Sequence, residues 1–110
     1  MNLDELVNSV PEIELRENLS HWVREWKQDD KDIEALAYLI GKWHGNVWFQ
    51  DTDSSNNFHS EFQNFKSAAI DNIGGLTLNE RLYWFGLFEV WEGGNEITQN
   101  RLRSKLRANA

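Results

Sequence analysis

The chain of 110 residues contains no cysteine, one proline and one methionine. Without cysteine, neither a disulfide framework nor a thiolate zinc site can form, and the composition suits a reducing compartment. No apolar run approaches the roughly 18 residues of a membrane-spanning helix, and the N-terminal residues lack the basic and then apolar order of a secretory signal. We therefore expect a cytoplasmic, soluble protein with a single domain over residues 1–110.

Aromatic side chains, by contrast, are plentiful, with 6 Trp, 6 Phe and 2 Tyr. A packed aromatic ring buries ~150–250 Å², so even a short chain can build a sizeable core from them. Four tryptophans, Trp26, Trp43, Trp48 and Trp91, are nevertheless more aromatic surface than a chain of this size readily hides. Two interpretations stay open: all of them belong to the core, or some are exposed anchors for a partner.

Charge is distributed unevenly along a chain whose net charge is −7. Residues 1–40 carry ten acidic and four basic side chains, whereas residues 101–110 carry four basic side chains and no acidic one. An acidic surface disfavours nucleic acid as a partner, because nucleic-acid binding depends on neutralising phosphate. It favours a basic protein partner, although solubility alone also explains such a surface.

The stretch from Leu76 to Gly94 predicts the central helix of the fold. Thr77 and Glu80 have the spacing of a capping box at its start, and Gly93-Gly94 can stop it. The residues between them are apolar on nearly every side, which is typical of a buried helix. Their high strand propensity leaves a strand pair as the alternative, and the capping box favours the helix.

Apolar residues at spacings of three and four predict further helices along the chain. These span about 11–28, about 31–44, and Phe58 to the Gly74-Gly75 stop, with a last helix near the C-terminus and a short one over residues 2–9. The predicted fold is therefore all-α: a small single-domain bundle of about five helices with an aromatic-rich core.

Several residues are predicted to cap these helices, because short polar side chains accept hydrogen bonds from free N–H groups. Asp30 is the expected cap of the helix over 31–44, Ser54 or Ser55 of the helix at Phe58, and Asn95 or Thr98 of the last helix. Asp51 to Asn57 has turn chemistry, and Val47-Trp48-Phe49 is apolar enough that we expect it to pack.

No catalytic, cofactor-binding or metal-binding constellation is predicted. Asp51, Asp53 and Ser55 resemble the start of a calcium loop, but Asn56 stands where its glycine belongs and Phe62 where its bidentate glutamate belongs. His21, His44 and His59 show no short ligand spacing. We therefore expect no enzyme activity, and interpret the loop as the start of a helix.

The remaining candidate is a binding surface, in which carboxylates surround aromatic rings. Carboxylates cluster at the first turn between helices, and two more lie in the second loop. The predicted binding residues are Glu25, Trp26, Asp29, Asp30, Asp32, Glu34, Trp48, Asp51 and Asp53.

A cysteine-free, acidic and aromatic-rich domain of this length resembles the immunity proteins that bacteria make against toxic nucleases, including those of contact-dependent growth inhibition and of colicins. The segment LTLNERLYWFGLFEVWE, residues 76–92, also resembles a segment near the C-terminus of small uncharacterised bacterial proteins. The immunity resemblance implies a monomer that binds a basic toxin, while the acidic charge and the lack of a long apolar run lead us to expect no nucleic acid and no membrane as partner. The alternative is a helical adaptor or subunit of a larger complex.

Overall fold

The computed structural model describes residues 1–108, and within that range it contains helices and no strand. The α-helices are α1 Leu3–Asn8, α2 Ile13–Gln28, α3 Ile33–Asn46, α4 Thr52–Phe65, α5 Leu78–Trp84, α6 Phe88–Glu92 and α7 Glu96–Lys105. The prediction of an all-α fold is confirmed. None of the helices in this range combines the length and the apolar character that crossing a bilayer requires.

The predicted central helix is two helices, because the chain turns sharply at Gly86. The N–H of Leu87 donates to the carbonyl oxygen of Leu82 at 2.9 Å, and that of Gly86 to the carbonyl oxygen of Tyr83 at 3.2 Å. This pair of bonds is a Schellman motif, with Gly86 in the left-handed region at φ 63°. The prediction of one continuous helix over residues 76–94 was wrong, since the glycine inside it stops α5 and lets α6 start in a new direction.

The start of that stretch follows the sequence pattern closely. The N–H of Glu80 donates to Thr77 Oγ1 at 3.1 Å, and the N–H of Thr77 donates to Glu80 Oε1 at 2.9 Å. The predicted capping box is therefore confirmed. These bonds lower the pKa of Glu80, mainly because its carboxylate accepts from the Thr77 backbone.

Two other predicted caps lie at different residues. Asp32, and not Asp30, caps α3 by accepting from the N–H groups of Glu34 and Ala35. Asp51, and not Ser54 or Ser55, caps α4, which therefore begins at Thr52. Local capping by an aspartate outweighs the turn propensity of the serines and asparagines that follow it. Asn95 caps α7 by accepting from Thr98, as predicted.

The buried residues form one core of aliphatic and aromatic side chains, and its aromatic rings pack in two groups. Phe85 lies between Trp26 and Phe65, with ring centroids 5.8 Å and 5.6 Å away. The second group joins Trp43 of α3 to Phe58 of α4 at 5.3 Å. Ring packing thus connects α2, α3, α4 and the end of α5.

Helices α2 and α3 are antiparallel neighbours joined by the short turn of residues 29–32. The indole N–H of Trp43 donates to Asn18 Oδ1 at 2.9 Å, and that of Trp26 donates to the carbonyl oxygen of Asp32 at 2.8 Å. The two contacts lie toward opposite ends of the helix pair. They fix its register and leave one face of the pair open to solvent.

The end of α7 returns to α5, where Arg81 holds it. Arg81 Nη1 donates to the carbonyl oxygens of Leu106 at 2.9 Å and of Arg107 at 2.7 Å. Leu102 and Leu106 are fully buried, so α7 is a core helix. Arg107 itself adopts a positive φ of 57°, and its side chain reaches the turn between α2 and α3.

Candidate partner-binding site

The predicted acidic turn between α2 and α3 is occupied by basic side chains of α7 and the residues that follow it. Asp29 and Asp32 are half-buried, whereas Glu25, Asp30 and Glu34 are exposed. Trp26, predicted as an exposed anchor, retains only 1% of its surface and belongs to the core. The Phe85 ring and the Lys105 ammonium pack against the Trp26 ring, so it is not available to contact a partner.

Lys105 is the centre of this arrangement, and its side chain is fully buried. Its Nζ donates to the carbonyl oxygen of Trp26, to the carbonyl oxygen of Lys31 at 2.6 Å and to Asp29 Oδ1 at 2.9 Å. The ammonium also lies 4.2 Å from the centroid of the Trp26 ring. Burial lowers the pKa of Lys105, and the hydrogen bond to Asp29 partly offsets that effect.

Two arginines complete the contact between the C-terminal segment and the turn. Arg101 Nη1 donates to the carbonyl oxygens of Lys27 at 3.1 Å and of Asp29 at 2.9 Å, which lie at the C-terminal end of α2. Arg107 Nη2 lies 3.1 Å from Asp32 Oδ2, and its Nη1 lies 3.7 Å from Glu34. Much of the charge of the turn is therefore neutralised within the chain.

Asp32 illustrates how strongly the turn is tied down. Partial burial raises the pKa of its carboxyl group, but hydrogen bonds from the Ala35 and Glu34 backbone and from Arg107 lower it by more. The pKa of Asp32 therefore lies below its ordinary value. Because the Asp32 carboxylate caps a helix and pairs with an arginine, its main role is to stabilise the fold.

A groove of about 690 Å³ lies on the open face of the α2–α3 pair. We call it the α2–α3 groove. Its apolar lining comes from Ala35, Leu39 and Val47 together with the tryptophans of both helices. Two rings on its lining are exposed, Trp22 at 46% on α2 and Tyr38 at 70% on α3. Exposed aromatic rings beside an apolar floor are typical of protein interfaces.

The two walls of the α2–α3 groove differ in charge. Glu25 lines it from α2 and Lys42 from α3, while Asp29 and Lys31 line it from the turn that joins the two helices. Lys42 Nζ lies 5.8 Å from the centroid of the Tyr38 ring. The helices thus contribute one exposed carboxylate, Glu25 on α2, and one exposed lysine, Lys42 on α3, and this charge difference favours one orientation of a bound partner.

The connection between α3 and α4 adds a third exposed ring. Trp48 is 89% exposed, although its neighbour Val47 lines the α2–α3 groove and Phe49 is buried 6.1 Å from the Trp43 ring. The prediction that all three residues of this stretch pack was therefore wrong for Trp48. Packing of its two neighbours directs Trp48 outward, so the ring is available as an anchor.

The second predicted acidic loop is the first turn of a helix. Asp51 caps α4 by accepting from the N–H of Asp53, and both carboxylates are exposed. A helix cannot wrap its successive side chains around one ion, so these residues do not form the calcium loop that they resemble. In residues 1–108, no three His, Asp or Glu side chains are grouped so that they could hold a metal ion.

Two histidines to which the sequence assigns no role lie against each other. The rings of His44 on α3 and His59 on α4 stack with centroids 5.8 Å apart. His44 Nε2 lies 3.0 Å from Ser55 Oγ. The pair joins α3 to α4 and lies outside the lining of the α2–α3 groove.

Trp22 and Tyr38 are the two site residues that sequence reasoning missed. Trp22 continues the apolar spacing of Leu15 and Leu19, and that spacing assigns it to the inward face of α2. The spacing of Ala35, Tyr38 and Lys42 by three and four was the available signal for a second stripe on α3. It could not be recognised without knowing which face of α3 meets α2.

Comparisons with known proteins give no relative from which a role can be transferred. No protein-family model matches the sequence, and no curated protein or solved structure matches it significantly.

Proposed function

We propose that this chain is a non-catalytic binding protein of the immunity class, which neutralises a toxin with a basic surface by covering it. The observation that carries the proposal is a set of three exposed aromatic rings, Trp22 and Tyr38 on the lining of the α2–α3 groove and Trp48 after the groove residue Val47, on a chain of net charge −7. The rings come from α2, α3 and the connection that follows α3. Rigid, exposed aromatics on an acidic protein are suited to binding a basic partner.

The net negative charge of the chain should speed association with a basic partner. A net charge of −7 on 110 residues attracts a cationic partner over several ångströms, which raises the association rate at low salt. Among the predicted binding residues around the α2–α3 turn, the exposed carboxylates are Glu25, Asp30 and Glu34. Asp29 and Asp32 contribute to the field but are held by Lys105 and Arg107, so contact with the partner falls to the exposed groups.

The exposed aromatic rings should make the complex dissociate slowly. Trp and Tyr offer a large contact area with few rotatable bonds, so little side-chain entropy is lost when they are fixed by a partner. Trp48 in particular is almost entirely solvated in the free chain, and covering it removes a large apolar surface from water. We expect these residues to control the dissociation rate.

Co-expression with the product of the neighbouring gene, which the proposal expects to be a toxin, tests the proposal. The chain should protect the cells, and the purified proteins should associate more slowly as salt rises, because the Debye length falls from ~30 Å at 0.01 M to ~8 Å at 0.15 M. Reversing Glu25 and Asp30 to lysine should slow association at low salt. Glu92→Lys, an exposed reversal on α6, changes the net charge per site equally and is the matched control.

The result that overturns the proposal is absence of both protection and binding by the wild-type chain. Binding that is insensitive to salt and accompanied by self-association would instead support the adaptor alternative. Equal association rates for the Glu25 and Asp30 reversals and for Glu92→Lys would show that this face is not where the charge acts.

A further inference from the structure

The walls of the α2–α3 groove restrict the kind of element that can lie in it. Both walls are helices, whose backbone N–H and C=O groups are already paired within α2 and α3. An extended peptide in the groove would find no backbone partners on the floor and would leave its own polar groups unpaired. A helix satisfies its backbone internally and needs only side-chain contacts.

The shape of the groove also argues against a second copy of this chain as occupant. The groove is concave and has a volume of about 690 Å³. Two copies placed face to face would bring two concave surfaces together, so neither groove would be filled. Along α2 the lining runs from Asn18 to Asp29, eleven residue steps or about 16 Å at 1.5 Å per residue. A convex element about three helical turns long matches that length.

Charge specifies the edges of that element. The α2 wall offers Glu25 and the α3 wall offers Lys42, both of which are exposed, and Lys31 lies in the turn that joins the two walls. Leu39 and the rings of Trp22 and Tyr38 add apolar surface to the same lining. A partner helix is therefore complementary if it carries cations on one edge, an apolar stripe in the middle and carboxylates on the other edge.

We propose that the α2–α3 groove binds an amphipathic α-helix of the partner protein. In this arrangement an apolar side chain of the helix enters between Trp22 and Tyr38. A lysine or arginine on one edge pairs with Glu25, and an aspartate or glutamate on the other edge pairs with Lys42. The inference rests on the proposed function only in that the partner is a protein, and it holds whether that protein is a toxin or another binding partner.

A displayed library of 14-residue peptides tests this even before the partner protein has been identified. Half of the library has alanine-rich, helix-forming backbones with randomised faces, and half has the same randomised composition with a central proline. The immobilised wild-type chain should enrich helix-forming members with an apolar stripe at spacings of three and four, basic residues on one edge and acidic residues on the other. Enrichment of the proline-containing half, or of neither half, overturns the proposal.

Point variants then locate the peptide. Trp22→Ala and Tyr38→Ala should each weaken binding of the enriched peptide about thirtyfold, the change typical of an interface hot spot. Tyr83→Ala on α5 is the matched control, because that ring is also half-exposed but does not line the groove. Its affinity should stay within about twofold of wild type. Equal losses for Tyr38→Ala and Tyr83→Ala would contradict the assignment.

Charge exchange distinguishes the groove from a non-specific apolar patch. Glu25→Lys should weaken a peptide with a lysine edge, and replacing that edge by glutamate should restore binding to the variant. A concentration-dependent dimer of the chain that Tyr38→Ala abolishes would show that a second copy occupies the groove and would overturn the proposal. These peptide measurements need no toxin, so their failure is separate from failure of the immunity proposal.

Discussion

The ammonium of Lys105 lies 4.2 Å from the centre of the Trp26 ring and donates to the carbonyl oxygen of the same residue. One side chain of α7 thereby meets both the π face and the backbone of a residue 79 positions earlier. This contact attaches the end of α7 to the turn between α2 and α3.

Replacing Lys105 by alanine should lower the free energy of unfolding by about 3 kcal/mol, because two carbonyl oxygens and the Asp29 carboxylate lose their buried donor. Lys105→Met should cost less, since its thioether can still pack on Trp26. Arg103→Ala, an exposed position on the same helix, should change stability by less than about 1 kcal/mol. Urea denaturation of the three variants measures the difference, and equal midpoints for Lys105→Ala and Arg103→Ala would contradict it.

The neighbouring residues Asp29 and Asp30 should respond differently to the same charge reversal. Asp29→Lys places a second cation beside Lys105 and should cost about 1–2 kcal/mol, a range reduced because Asp29 is 37% exposed. The Asp30 side chain is exposed, so Asp30→Lys should change stability by less than about 0.5 kcal/mol. Thermal melts compare the two variants. The reverse order of stability would mean that Lys105 is not paired with Asp29.

Gly86→Ala should destabilise the protein by at least about 2 kcal/mol. A Cβ at this position would lie 2.3 Å from Asp4 Oδ2, and an L-residue at φ 63° adds about 1–2 kcal/mol of backbone strain. The clash would also displace Asp4 from Lys27, whose Nζ donates to Asp4 Oδ1 at 2.7 Å. The matched control is Gly45→Ala in α3, where a Cβ meets no atom within 4 Å and should stabilise the helix by about 0.5–1 kcal/mol. Opposite signs for the two variants in denaturant melts are the expected result.

Phe85→Ala should lower stability by about 3–5 kcal/mol, because it removes a fully buried ring between Trp26 and Phe65. Tyr83→Ala, on the preceding helix and half-exposed, should cost less than about 1 kcal/mol. Calorimetric or circular-dichroism melts separate the two. A Phe85→Ala melt that matches the wild type would show that the ring lies outside the core.

Asp32 should make stability depend on acid pH. Its folded pKa lies below the unfolded value of about 3.9, so its contribution is present above that value and is lost as the pH falls through the folded pKa. Asp32→Asn keeps a good helix cap but removes the charge. The stability difference between wild type and Asp32→Asn should therefore be largest above about pH 5 and should shrink below about pH 4. A difference that stays constant across this range would contradict the assignment.

The sequence by itself determined the elements whose signals are local. A capping box needs only two residues three positions apart, so Thr77 and Glu80 could be recognised and were confirmed. Periods of three and four located α2 and α3 within about two residues of their ends. Helical class followed from these signals, because both depend on contacts within one turn of the chain.

Only the tertiary structure decided which charges are free and which rings are exposed. Lys105 reaches Asp29 across 76 residues, so no local pattern could show that the acidic turn is already neutralised. Trp26 is buried and Trp48 is exposed, although both are tryptophans near carboxylates in the sequence. Asp4 also lies close to Gly86, where the predicted central helix divides into two helices. This contact joins residues that are far apart in the sequence, so the local spacing of residues contains no information about it.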